Sequence, residues 1–150
     1  LLNALTNARA EVGSYAFTTL EPNLGVLSGG FILADIPGLI EGASEGKGLG
    51  HKFLRHIKRT KRILHLISLE NEDIVKAYKT IRSELKQYGQ GLDMKEETII
   101  LTKTDMIDEK EVQKAIKKLN KYNKDILAVT VLDDDSIKKL SDEIVKRLRK

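Results

Sequence analysis

Two tetrapeptides hold the side chains of this chain best suited to chemistry. The first, Asp35-Ile36-Pro37-Gly38, follows the apolar run Phe31 to Ala34. A carboxylate at a strand end can hold the water shell of Mg2+, Pro37 stiffens the turn, and Gly38 lets its backbone N–H approach a phosphate closely. The same residues also read as an ordinary strand-to-loop turn with a proline. The second, Thr102-Lys103-Thr104-Asp105, follows the run Thr98 to Leu101. Asp105 can accept hydrogen bonds from the N1–H and exocyclic amine of guanine, a donor pair that adenine lacks, while Lys103 lays its aliphatic stem along the base. The plain alternative is a polar turn with Asp105 or Asp108 capping the next helix.

Upstream, Phe17-Thr18-Thr19-Leu20 lies in a loop where a threonine hydroxyl can complete a Mg2+ shell when a γ-phosphate is present. Specificity comes from the order: a threonine loop, then Asp-x-Pro-Gly, then Thr-Lys-x-Asp, each expected at the mouth of one sheet. Gly42-Ala43-Ser44-Glu45-Gly46-Lys47-Gly48 only imitates a phosphate-binding loop. Its glycines are too close, Gly48 stands where Ser or Thr should ligate Mg2+, and no strand precedes it. Gly42 to Gly50 reads instead as a glycine-rich switch segment.

Other clusters have plainer readings. His51 and His56 lack a third ligand and read as surface or packing residues; His65 falls within a buried strand pattern and reads as a hydrogen-bonded core histidine. Asp133-Asp134-Asp135 precedes a helix, whose N-terminus attracts acids without any metal. Lys52, Arg55, Lys58, Arg59, Lys61 and Arg62 form a basic cluster that can meet RNA phosphates, though such runs are usually solvated faces.

The elements that must position these residues follow from periodicity. Leu1 to Leu5 reads as the end of an apolar helix, and Gly25 to Leu27 with Phe31 to Ala34 as a hairpin turning through Ser28-Gly29-Gly30. Phe53, Leu54 and Ile57 mark a basic helix. Strands are expected at Ile63 to Ile67, Thr98 to Leu101 and Ile126 to Val131. Between and after them, helices of about 12 to 17 residues are expected on Ile74 to Tyr88, on Val112 to Leu119, and on Ile137 to Leu148 behind the capping candidates Asp134 and Asp135. This alternation predicts an α/β fold: a mostly parallel sheet between helix layers, with ligands beyond the carboxyl ends of the strands.

With 150 residues, 41% hydrophobic and 32% charged, the chain suits one globular domain, residues 1–150, and excludes a disordered chain. No apolar stretch approaches the length of a membrane span. Zero cysteines exclude disulfide scaffolds, thiolate metal sites and cysteine nucleophiles. Residues 1–50 hold nine of the eleven glycines, both prolines, two basic and five acidic side chains, against 24 basic and 17 acidic in the remainder. The flexible backbone is concentrated where charge is scarce, as in a loop-built site set on a charged scaffold.

Three continuous stretches resemble the G domain of the Obg family of GTPases: Phe17-Thr18-Thr19-Leu20-Glu21-Pro22-Asn23-Leu24-Gly25, Asp35-Ile36-Pro37-Gly38-Leu39-Ile40-Glu41-Gly42-Ala43 and Gly48-Leu49-Gly50-His51-Lys52-Phe53-Leu54-Arg55-His56. Drg-type relatives share part of the pattern. The resemblance implies a P-loop NTPase-like three-layer α/β/α fold and a cytoplasmic, monomeric GTP/GDP switch. That switch hydrolyses GTP slowly with Mg2+ and acts in large ribosomal subunit assembly, with rRNA as a partner.

The resemblance also assigns roles. Nucleotide binding falls to Phe17, Thr18, Thr19, Leu20 and Glu21, to Asp35, Ile36, Pro37 and Gly38, to Thr102, Lys103, Thr104 and Asp105, and to Thr130, Val131 and Leu132. Thr19 ligates Mg2+, Asp35 holds it through water, and Gly38 senses the γ-phosphate. Val131 offers its backbone N–H to guanine O6. Leu39 replaces the glutamine that orients water in many GTPases, so no catalytic base is assigned. The family's Gly-x4-Gly-Lys-Ser loop and its strand are expected just before Leu1, making this a G domain truncated at its N-terminus. A non-catalytic RNA- or protein-binding module, or a Drg-type relative acting in translation, is the alternative.

Overall fold

The computed structural model describes residues 1–6, 23–35 and 57–150. A short helix α1 (Leu2–Leu5) precedes strands β1 (Asn23–Val26) and β2 (Ile32–Asp35); then come β3 (Arg62–Ser68), α2 (Ile74–Tyr88), β4 (Glu96–Thr102), α3 (Glu109–Leu119), β5 (Ile126–Ala128) and α4 (Asp134–Arg149). The helix expected on Phe53, Leu54 and Ile57 falls mostly outside the described residues; Ile57 itself is buried.

The strands form two sheets. β3, β4 and β5 pair in parallel in the order β3-β4-β5, with Ser68 opposite Thr102 and Leu101 opposite Ala128. β1 and β2 make the expected antiparallel hairpin, Asn23 opposite Asp35, turning through Gly29 and Gly30 at φ +85° and +83°. Both values lie in the left-handed half of backbone space, where glycine is unstrained. Among the described residues no ladder bond joins the hairpin to the parallel sheet.

β4 is the central strand, and its pleat explains the layers. Ile99 and Leu101 point into a core with Ile67, Leu69, Ile74, Tyr78, Val112 and Leu119, the buried sides of α2 and α3. Ile100 points the other way, into a core with Leu5, Leu27, Val129, Leu140 and Ile144, which joins α1, the hairpin and α4. A strand buried on both faces reads as an unbroken apolar run because neither face meets water. The α/β layering is therefore as expected, with the hairpin packed against the α4 layer by side chains. Gly25 packs tightly on α1: a Cβ there would come within 2.3 Å of Thr6 Oγ1.

The helix ends are chemically explained. Asp73 caps α2 by accepting from Lys76 N at 3.0 Å, and Gly89 at φ +76° ends that helix. Asp108 caps α3 through Glu111 N at 2.9 Å. Two expectations need correction. α4 is capped by Asp133, which accepts from Asp135 N at 3.1 Å, so Asp134 and Asp135 are first-turn residues whose charge favours the helix N-terminus. β5 ends at Ala128 rather than Val131, because Val129 N still donates to Leu101 O but Thr130 N turns to the hydroxyl of Ser136.

Candidate functional site

Register gathers the carboxyl ends of β3, β4 and β5 at one pole, so the segments that follow them become neighbours. Leu69 N donates to Thr102 O at 3.1 Å and Thr104 N to Val129 O at 3.4 Å, tying the turn after β4 to both flanking strands. Within that turn Lys103 takes φ +62°, ψ +42°, a left-handed conformation uncommon outside glycine. Such backbone persists where the surroundings hold it and clusters at functional sites. Here it aims Lys103 and Asp105 outward at the rim. Lys103 forms an ion pair with Glu70, from the segment after β3.

Thr102-Lys103-Thr104-Asp105 and Thr130-Val131-Leu132 are brought together. Thr130 Oγ1 donates to Asp105 Oδ1 at 2.6 Å, across 25 residues of sequence. The hydroxyl also accepts from Leu132 N at 3.3 Å, while Thr130 N donates to Ser136 Oγ at 3.1 Å. An ionised carboxylate offers about four acceptor positions. One bond from Thr130 therefore orients Asp105 and leaves acceptor capacity free for a pair of N–H donors. Val131 and Leu132 are exposed, and among the described residues the Val131 N–H meets no acceptor. The corner thus presents a fixed carboxylate, a cation with a long aliphatic stem and an available backbone donor. Chemically, such groups can accept hydrogen bonds from adjacent N–H donors and donate one to a carbonyl.

Sequence reading missed two members of this corner. Glu70 carries no motif; its only signal is its place just beyond a strand. Ser136 looks like an ordinary first-turn serine until Thr130 N reaches it.

Asp35 closes β2 and is half-buried; burial pushes its carboxyl above the usual carboxylate range. The charge of the Leu1 amine opposes that shift; among the described residues no Lys, Arg or His side chain pairs with Asp35, and no hydrogen bond joins it to the Asp105 corner. A hard oxygen donor held in that condition suits Mg2+ bound through water. No cluster of three or more His, Asp or Glu side chains forms a direct metal cage among the described residues. Phe17, Thr18, Thr19, Leu20, Glu21, Ile36, Pro37 and Gly38 lie outside the described residues, as do Gly42 to Gly50, His51, Lys52, Arg55 and His56. His65 is buried as expected, its Nδ1 2.7 Å from Glu97 Oε1 and its ring stacked on Tyr78.

A family model described as "50S ribosome-binding GTPase" matches residues 1–104. The chain belongs to this GTPase family. Its α/β layers and parallel sheet are those of a P-loop NTPase-like fold. The chain is also similar to GTPase Obg of Pelagibacter ubique, 45% identical over 97% of this chain and 46% of that protein. GTPase Obg of Prochlorococcus marinus subsp. pastoris is 44% identical over 99% of this chain and 47% of its own length. GTPase Obg of Brachyspira hyodysenteriae is 45% identical over 97% of this chain and 24% of its own length. The chain thus spans about half the length, or less, of these curated relatives. No helix among the described residues is long and apolar enough to cross a membrane.

Proposed function

We propose that the protein carrying this domain is a guanine-nucleotide switch that binds GTP and GDP, hydrolyses GTP slowly with Mg2+, and acts in assembly of the large ribosomal subunit. The observation that carries this reading is the hydrogen bond that orients Asp105 from Thr130, at the carboxyl ends of the parallel strands. The oriented carboxylate accepts from guanine N1–H and the exocyclic amine; the Val131 N–H donates to O6, a position where adenine carries an amine; Lys103 covers the base. Thr102 and Thr104 hold the turn, and Leu132 closes the loop behind Val131.

The remaining roles belong to the same proposal. Phe17 to Glu21 form the loop that follows the γ-phosphate, Ile36 and Pro37 set the turn, and Gly38 meets the phosphate through its N–H. Asp35, through water, and Thr19 hold Mg2+. When bound, that ion neutralises charge developing on the β- and γ-phosphate oxygens. We assign the main phosphate contacts to a Gly-x4-Gly-Lys-Ser loop upstream of Leu1. In this proposal the strand leading into that loop would pair between the hairpin and the parallel sheet, which share no ladder bond among the described residues. Leu39 replaces a water-orienting glutamine, consistent with slow turnover. A cytoplasmic monomer fits these assignments.

Competition titration of the full-length protein tests the reading. GTP and GDP should displace a labelled guanine nucleotide at least about 100-fold better than ATP, the scale of leaving a site's buried polar groups unpaired. Thr19→Ala should weaken a non-hydrolysable GTP analogue and leave GDP nearly unchanged. Equal ATP and GTP affinity would overturn the guanine assignment, and matched losses for both guanine nucleotides would overturn that of Thr19.

A further inference from the structure

Of the four backbone donors that follow Ala128 at the end of β5, three are taken. Val129 N donates to Leu101 O at 2.9 Å, Thr130 N to Ser136 Oγ at 3.1 Å, and Leu132 N to Thr130 Oγ1 at 3.3 Å. The Val131 N–H stands between fixed neighbours and meets no acceptor among the described residues. Val131 is 54% exposed, so water serves that donor until a ligand replaces it.

Ser136 is the fixed point of this arrangement. It lies in the first turn of α4, where Asp133 accepts from Asp135 N at 3.1 Å and Ile137 N donates to Asp133 O at 3.1 Å. The neighbouring Ile137 packs against the core of Leu27, Leu140 and Ile144, which anchors the turn that carries the serine. A serine hydroxyl near a helix start ordinarily bonds backbone of its own helix. This one reaches back six residues, off the helix, to Thr130. Thr130 is thereby tied on both sides, its N–H to α4 and its hydroxyl to Asp105 Oδ1 at 2.6 Å. The peptide that follows it, which bears the Val131 N–H, has its direction set.

We propose that Ser136 is a positioning residue for the carbonyl of the base: through Thr130 it holds the Val131 N–H at the rim, where that group donates to guanine O6. This rests on the guanine reading given above and divides it into two arms. The Thr130 hydroxyl steadies the acceptor arm, Asp105, which takes the N1–H and the exocyclic amine. Ser136 steadies the donor arm, Val131, which takes O6. The arms are separable because Ser136 holds Thr130 by its backbone and Asp105 holds it by its side chain. A donor already in place needs no ordering when the base arrives, and preorganisation of that kind adds affinity.

Three nucleotides read the arms apart on the full-length protein: GDP; IDP, which lacks the exocyclic amine; and 6-thio-GDP, whose sulfur accepts hydrogen bonds weakly. Ser136→Ala should weaken GDP and IDP by about 5-fold each, one neutral hydrogen bond's worth, and 6-thio-GDP by less than about 2-fold. The preference for GDP over 6-thio-GDP then shrinks, while the preference for GDP over IDP stays parental. Ser136→Thr keeps the hydroxyl and should restore the parental pattern. A serine that only steadies α4 would give equal losses for all three nucleotides, or none; either result overturns the proposal, as does failure of Ser136→Thr to restore GDP affinity. Hydrogen exchange on the parent protein tests the same point without a variant. The Thr130 N–H should be protected with and without nucleotide, and the Val131 N–H should be protected by GDP and clearly less by 6-thio-GDP. Equal protection of Val131 by both nucleotides, or free exchange at Thr130 without nucleotide, would also overturn the role of Ser136. A parent that binds ADP as well as GDP would overturn the guanine reading itself, whereas a guanine-selective parent with equal Ser136→Ala losses overturns the role of Ser136 alone.

Discussion

The two poles of the parallel sheet use polar side chains in opposite ways. Where the strands begin, Asp125 takes bonds from Thr98 Oγ1 at 2.6 Å, Arg62 at 3.3 Å and Arg147 at 2.7 Å, and Arg147 also holds Glu143. Nearby, the buried Glu97 is shared by His65 and Arg82, each at 2.7 Å. Each of these two carboxylates is held by fixed partners on both of its oxygens. Where the strands end, Asp105 has one bond from a threonine, Val131 N–H has no described acceptor, and Lys103 has one exposed partner. A charge surrounded by fixed partners is spent on the fold, because removing any partner strands the others in a poorly solvated place. A charge oriented by one partner at the rim retains hydrogen-bonding capacity for a ligand.

Truncating the rim carboxylate should have the largest effect, and only on ligand. Asp105→Ala is expected to cost about 2 to 4 kcal/mol of GDP affinity in the full-length protein, on the scale of losing charge-assisted bonds and leaving ligand donors unpaired. The melting temperature without nucleotide should hardly move. Calorimetric titration beside a thermal melt separates the two, and a large loss of stability would erase the contrast between the poles.

Asp125→Ala should do the reverse. About 1 to 3 kcal/mol of stability is at stake, because Arg62 and Arg147 lose a shared, partly exposed partner. GDP affinity measured well below the melting temperature should stay within about threefold of the parent. The pH dependence has a definite sign. Burial alone would raise the Asp125 carboxyl, but hydrogen bonds from Arg147 and Thr98 and the charges of Arg147 and Arg62 hold it below its usual 3.8. A value lower in the folded chain than in the unfolded one gives stability that is present above 3.8 and lost as pH falls through the folded-state value. Acid unfolding followed by circular dichroism should therefore be less steep in that window for Asp125→Asn.

The smallest effect sharpens the comparison. Thr130→Val removes the hydroxyl that orients Asp105 and should cost about 1 kcal/mol of GDP affinity, one neutral hydrogen bond's worth, while Thr130→Ser restores it. Unchanged GDP affinity in Thr130→Val would mean that the turn's backbone, with Lys103 left-handed, positions Asp105 unaided.

Much of this was legible from local pattern. The run Thr98 to Leu101 announced a strand and Ile74 to Tyr88 a helix, because hydrophobic periodicity is a property of short segments. The turn Ser28-Gly29-Gly30 was readable for the same reason. The cap of α4 was misread by one residue because three consecutive aspartates can each cap a helix, and only chain direction on leaving β5 chooses among them. Strand β5 was overextended because Thr130 and Val131 have strand propensity, which Ser136 overrides by taking the Thr130 N–H from the ladder.

By itself the sequence determined the elements, their order, and the two tetrapeptides whose chemistry suits a nucleotide. Hydrophobic period and turn chemistry act over a few residues and need no knowledge of neighbours. Only the tertiary structure decided which of those residues meet. The Thr130–Asp105 bond spans 25 residues, Lys103 and Glu70 stand 33 apart, and Arg62 meets Asp125 across 63. Parallel register sets these meetings by placing the starts of three strands at one pole and their ends at the other. Which acids are spent on folding and which stay available to a ligand follows from that placement, since a carboxylate has the same chemistry in the sequence whether it ends up beside two arginines or at an open rim.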